Sequence, residues 1–134
     1  MSASCVFCAL IQNQHIIFES AHFGVVWDIA PMRDGHLLIL SKAHRESLSE
    51  LTADERDDLM KLQLTLLNTV KAVAEGFDVT FILNNGLLKD DGTHFHVHAL
   101  PRLPHDGFWE GLPSATHFPK ASFLQFMNSN KSKP

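Results

Sequence analysis

The stretch Asp91-Gly92-Thr93-His94-Phe95-His96-Val97-His98-Ala99-Leu100-Pro101-Arg102 decides the fold. Three histidines stand at alternate positions, with apolar residues between and after them. Alternation by two is the side-chain period of a β-strand, so His94, His96 and His98 share one face and Phe95, Val97 and Ala99 the other. On a strand, residues two apart lie roughly 6.5–7 Å from each other. A helix would scatter the same rings around its circumference. The chain is therefore organised around a strand whose apolar face needs a cover and whose opposite face carries a row of imidazoles.

Immediately upstream, Thr80-Phe81-Ile82-Leu83-Asn84-Asn85 predicts a short strand ending in two amides, and Gly86 to Gly92 is a turn-rich connection. The resulting hairpin brings Asn84 and Asn85 towards the histidines. Further back, His36 to Ser41 is an apolar strand entered from the loop Ala30 to Gly35, and His15–Glu19 and His22–Ile29 are two strands joined at Ser20-Ala21. Asp28 closes the second of these, either as a solvated strand-end acid or as an acceptor for sugar hydroxyls. His36 either faces a ligand or satisfies a backbone carbonyl. His44 stands in a polar turn, its role set by its neighbours.

Thr52-Ala53-Asp54-Glu55 is a capping box. Behind it Leu59, Leu62, Leu66, Val70 and Val73 keep a helical repeat as far as Gly76, which predicts a helix of about 23 residues over one face of the sheet. Near the start, Ser4 to Ile11 reads as a turn entering a short helix that carries Cys5 and Cys8. This CxxC suits zinc, a redox pair or two buried hydrophobes. No strand precedes it to build a thioredoxin-like motif. After Arg102, prolines and glycines mark an irregular tail with a short helix over Lys120–Met127 and fraying from Asn128 to Pro134. The expectation is one domain over 1–134, with a core at about 4–103 and a tail over 104–134.

Composition agrees. A chain of 134 residues with 45% apolar and 19% charged residues is an ordinary globular protein. A formal charge of −4 offers no basic field for nucleic acid, and no apolar run is long enough to span a membrane. The first residues lack the pattern of a secretory signal, so the expected location is cytoplasmic, with both cysteines reduced. The oddity is nine histidines, of which three form the triad.

Three parallel imidazoles spread over roughly 13–14 Å do not converge on one metal ion, although an end histidine can join one. Phosphate chemistry suits them better. A neutral imidazole attacks phosphorus without prior deprotonation, and flanking imidazoles donate hydrogen bonds to phosphate oxygens or to a leaving group.

His94-Phe95-His96-Val97-His98-Ala99-Leu100 resembles the His-x-His-x-His signature of the histidine-triad (HIT) superfamily, whose x positions are apolar. Ile17-Phe18-Glu19, Val26-Trp27-Asp28-Ile29-Ala30-Pro31, Gly35-His36-Leu37-Leu38-Ile39 and Ser41-Lys42-Ala43-His44 extend the resemblance in family order. It implies an α+β fold, with an antiparallel sheet of about five strands, one long helix and short terminal helices. It also implies a homodimer and a nucleotide site at the C-terminal end of the triad strand. The family acts on the α-phosphate of nucleoside phosphoramidates, dinucleoside polyphosphates or nucleotide sugars. By the resemblance, His96 is the nucleophile and His98 bonds the phosphate or leaving group. Asp28 holds the ribose, Phe18, Trp27 and Ile29 wall a purine base, and Asn84 or Asn85 orients the phosphates. Some bacterial-type members hold a structural zinc, which implies Cys5, Cys8, His44 and His94 as its ligands here.

One segment departs from that pattern. Many members carry Gly-Gln-Ser or Gly-Gln-Thr before the triad, whereas this chain has Lys89-Asp90-Asp91-Gly92. Two carboxylates beside a polyphosphate repel it unless a divalent cation intervenes or they point away. Three functions follow: a hydrolase or transferase working through a His96 adduct, a nucleotide-binding sensor with little turnover, and a zinc hydrolase using all three histidines as ligands.

Overall fold

The computed structural model describes residues 5–12, 15–111 and 117–129. In chain order these form α1 (Val6–Gln12), β1 (Phe18–Glu19), β2 (Phe23–Trp27), β3 (Leu37–Ser41), α2 (Ala53–Val73), β4 (Asp78–Ile82), β5 (His96–Arg102) and α3 (Lys120–Ser129). The expected readings at Ser4, Pro113 and 130–134 lie outside the described residues. Five antiparallel strands make one sheet in the order β1-β2-β3-β5-β4, which is the α+β architecture expected.

β1, β2 and β3 are shorter than their apolar runs, and β4 starts at Asp78, two residues ahead of the expected Thr80. The hairpin turn starts at Ser20, whose N–H donates to the Phe23 carbonyl at 2.9 Å, and the Asn84-Asn85 pair falls beyond β4. The long helix keeps its expected start: Thr52 caps Glu55 N–H while the Glu55 side chain accepts from Thr52 N–H, both halves of the box. It ends at Val73, and Gly76 takes the positive φ of 82° that turns the chain towards β4. The C-terminal helix extends two residues past Met127, so Asn128 and Ser129 are helical.

Period-two alternation divides the sheet into two layers. Phe23, Val25, Leu37, Ile39, Phe95, Val97 and Ala99 face α2 and pack with its Leu59 and Leu62. Val26, Leu38 and Leu40 face the other way and pack with Phe7 and Cys8 of α1 and with Cys5 just before it. In the ladder His96 stands opposite Leu40 and His98 opposite Leu38, so the imidazoles lie on the α1 side. The long helix supports the strand from behind and leaves the histidines to the shorter cover.

Candidate active site and metal centre

At the entrance of β5 the first triad histidine turns towards α1. His94 Nδ1 lies 3.2 Å from Cys5 Sγ and 3.5 Å from Cys8 Sγ, and His44 Nδ1 lies 3.3 Å from Cys8 Sγ. The four donor atoms all lie within 4.8 Å of one another. Around a tetrahedral zinc with ordinary bond lengths, sulfur and nitrogen ligands sit about 3.5 Å apart, so the spacing fits. The second nitrogens fit as well. His94 Nε2 meets the Ser41 carbonyl at 2.7 Å and His44 Nε2 meets the Glu46 carboxylate at 2.5 Å. Both partners only accept, so both rings carry hydrogen on Nε2 and aim a bare Nδ1 at the sulfurs. Among protein groups alone, burial pushes the Cys8 thiol up to about 11, and Cys5 adds to the rise. A divalent cation would supply the charge that lets the Cys8 thiol ionise here.

His96 and His98 continue along the strand. His96 Nδ1 donates to the His94 carbonyl at 2.8 Å, which leaves Nε2 with a lone pair. The Phe7 ring meets the His96 ring edge to face, with centroids 4.8 Å apart, and fixes its plane. Next to it, His98 Nδ1 lies 2.8 Å from His36 Nε2, and His36 Nδ1 accepts the Met32 N–H at 3.1 Å. That backbone donor settles the tautomers: His36 carries hydrogen on Nε2, gives it to His98 Nδ1, and leaves His98 with hydrogen on its own Nε2. Asp28 Oδ2 stands 3.4 Å from His36 Nε2 and Asp28 Oδ1 accepts from Ala30 N–H. Asp28, His36 and His98 are close enough to share an ion, but this tautomer gives His36 no lone pair for one. Met32 N–H, His36 and His98 form a hydrogen-bonded relay, with the Asp28 carboxylate beside it.

Burial keeps the rings neutral. It lowers His96, against the pull of the His94 carbonyl, and it lowers His36 against Asp28. It pushes His98 down to about 4, with His96 and His36 adding to the effect. The result is a bare nitrogen on His96 beside an N–H on His98, their ring centroids 4.9 Å apart. One can attack phosphorus and the other can donate to the atoms around it. The three Nδ1 atoms face Cys5, the His94 carbonyl and His36 in turn, so the triad is not a three-histidine metal site.

The expected base wall is only partly assembled. Trp27 pairs with Leu37, so it stands on the α2 face, away from the imidazoles. Phe18 pairs with Val25, while Ile17 N–H also reaches the Val25 carbonyl at 2.8 Å. Two residues thus oppose one, and this β-bulge breaks the alternation. It puts Phe18 on the α2 side and lets Ile16 pack with Val26, Leu38 and Leu40 beside the histidines. Gly24 makes room for it: a Cβ there would meet Ile16 Cδ1 at 2.9 Å. Leu10, Ile11, Ile16 and Val26 are therefore the apolar side chains of the histidine face that sequence reasoning missed. Ile29 is 97% exposed next to Asp28. Both amides are exposed, and Asn85 is engaged, accepting from Leu48 N–H at 2.7 Å and donating to Ser47 Oγ at 3.1 Å. His36 is buried and serves its histidine neighbour, accepting a backbone N–H where a carbonyl partner was one of the two expectations.

Comparison with known proteins agrees with this architecture. Residues 10–105 match the HIT domain family. The chain is 31% identical over 108 residues to an uncharacterized HIT-like protein of Methanocaldococcus jannaschii, covering 77% of this chain and 82% of the relative. It is 30% identical over 132 residues to an adenosine 5'-monophosphoramidase of Candida albicans, covering 91% and 87%. The crystal structure of a histidine triad nucleotide-binding protein from Candida albicans superposes with a TM-score of 0.72 at 26% identity, over 96% of each chain. With His96 and His98 on β5, His94 at its entrance and a family match over residues 10–105, the chain belongs to the HIT domain family.

Proposed function

We propose that this protein is a nucleotide hydrolase that cleaves a P–N bond at a nucleoside α-phosphate through a nucleotidyl-His96 intermediate. The observation that carries the reading is the tautomer pair: a bare Nε2 on His96 and an N–H on His98, side by side on one strand. In the first step His96 Nε2 bonds to the α-phosphorus and the P–N bond breaks, with the leaving amine taking its proton from water. The ring becomes cationic while adenylylated, and its Nδ1–H stays on the His94 carbonyl, which stabilises that charge. The His98 N–H bonds an α-phosphate oxygen or the leaving atom throughout. Water then attacks phosphorus, the P–Nε2 bond breaks, and the nucleoside monophosphate leaves. Dinucleoside polyphosphates enter the same chemistry with a phosphate leaving group.

Asp28 accepts from the ribose hydroxyls, Ile16, Val26 and Ile29 border a purine base, and Asn84 orients the phosphates. Cys5, Cys8, His44 and His94 hold a structural zinc, a closed set with no open position for substrate. The name of the Candida albicans relative supports a phosphoramidate over other nucleotides. A second copy of the chain pairs along the β4 side, where β4 is an edge strand and a groove of about 350 Å³ lined by Leu48, Met60, Phe81 and Leu83 runs beside α2.

Asp90 favours a second reading, a nucleotide sensor with little turnover. Its negative charge reaches both His96 and His98, and it repels an anionic substrate unless a divalent cation accompanies the phosphates. Incubation with adenosine 5'-phosphoramidate separates the two. Release of AMP by the wild type and its loss in His96→Ala support the hydrolase. Binding without release supports the sensor, and undiminished release by His96→Ala contradicts the proposed intermediate.

A further inference from the structure

Lys89 is the least expected side chain in the loop before the triad. It is only 13% exposed, although lysine is among the side chains that stay in water. Its Nζ donates to Glu46 Oε1 at 2.6 Å, and the other oxygen of the same carboxylate accepts from His44 Nε2 at 2.5 Å. His44 Nδ1 faces Cys8. One and two residues after Glu46, Ser47 and Leu48 hold the Asn85 amide by its nitrogen and its oxygen. The short segment 44–48 thus carries one donor of the metal set and grips the loop 85–89 at both ends. Leu87 and Leu88, in the turn between the grips, are exposed and add no burial. The position of this loop rests on polar ties to a segment that is itself pinned at His44.

We infer that the metal centre sets the position of the substrate loop through Glu46, with Glu46, Lys89 and Asn85 as positioning residues. This rests on the reading of the triad face as a nucleotide site. A metal on Nδ1 fixes the His44 ring and keeps its hydrogen on Nε2, so the Glu46 carboxylate stays in one place. Lys89 and the chain after it then stay in place too, along with Asn84 and Asp90 on either side of the grips. With the metal stripped, His44 is free to turn, Glu46 loses its fixed donor and the Lys89 tie becomes an ordinary surface pair. The metal therefore acts on nucleotide affinity without touching substrate.

The test compares zinc-loaded wild type, chelator-stripped wild type, and zinc-loaded Glu46→Gln, Lys89→Met and Lys89→Arg. The readouts are zinc content, hydrogen exchange and AMP binding. The expected result is that amides over 86–93 exchange about tenfold faster or more in the stripped protein, in Glu46→Gln and in Lys89→Met. Amides of β3 and β5 stay protected, and Lys89→Arg behaves as wild type. AMP binds about threefold or more weakly in the same set, and Lys89→Met raises KM while kcat stays within about twofold. Lys89→Met keeps every metal ligand, so it decides the matter even where stripping loosens the sheet. Unchanged loop exchange in zinc-loaded Lys89→Met overturns the inference, as does wild type that holds no zinc. Loop protection that follows the metal and Lys89, with AMP bound by no form, sustains the coupling and counts against the nucleotide reading alone.

Discussion

Replacing His98 tests whether the histidine face is held neutral by burial, as the proposed chemistry requires. Its folded-state pKa of about 4 lies well below the 6.5 of an unperturbed imidazole. Between those values the unfolded chain binds a proton that the folded one does not. Stability from this group is therefore complete above pH 6.5 and drains away as the pH falls towards 4. Lowering one imidazole from 6.5 to about 4 amounts to about 3 kcal/mol over the whole range, of which about 2 kcal/mol is lost between pH 7 and pH 5. Urea unfolding of zinc-loaded wild type and His98→Gln at both pH values isolates it, since His98 is no ligand of the metal set. The wild type should lose about 2 kcal/mol more than the variant on going to pH 5. Equal losses would refute the reasoning, because His98 would then be titrating as it does in the unfolded chain.

The remaining expectations are more local. Ile16→Ala should weaken AMP binding about threefold or more, while Trp27→Ala leaves it within about twofold, because the bulge and the register place only Ile16 on the histidine face. Equal effects in a binding titration would contradict that assignment. Thr52→Ala removes the side-chain half of the α2 capping box, and should cost about 1 kcal/mol in urea unfolding. Cys5→Ser removes one of four convergent donors, so metal analysis should find zinc content well below that of the wild type, and unchanged content would refute the site.

What the sequence disclosed follows from the range of the forces involved. Alternation over Phe95, Val97 and Ala99 is a local pattern, and so are the Thr52–Glu55 box and the leucine repeat of α2; each appears in the structure where the residues called for it. The Cys5–Cys8 pair was ambiguous alone, because its partners come from 36 and 89 residues away, and only the resemblance pointed to them. Trp27 and Phe18 were expected at the base from the family resemblance, which carries no record of strand register or of a local bulge. Whether Ile17 or Phe18 opposes Val25 depends on hairpin pairing, which no local propensity records. Asn84 and Asn85 were indistinguishable on the page, and the hydrogen bonds of Asn85 to Ser47 and Leu48 separate them. The Glu46–Lys89 pair was equally hidden, since an acid and a base far apart in sequence carry no sign that they meet.

In the proposed reaction His96 takes the nucleotidyl group onto its Nε2 nitrogen. Rapid quenching of the protein with adenosine 5'-phosphoramidate, followed by intact-mass analysis and peptide mapping, tests it directly. A transient adduct of one adenylyl group per chain should appear on His96, absent from His96→Ala and longer lived when water attack is slowed at low temperature. AMP production with no adduct, or an adduct on another residue, would contradict it.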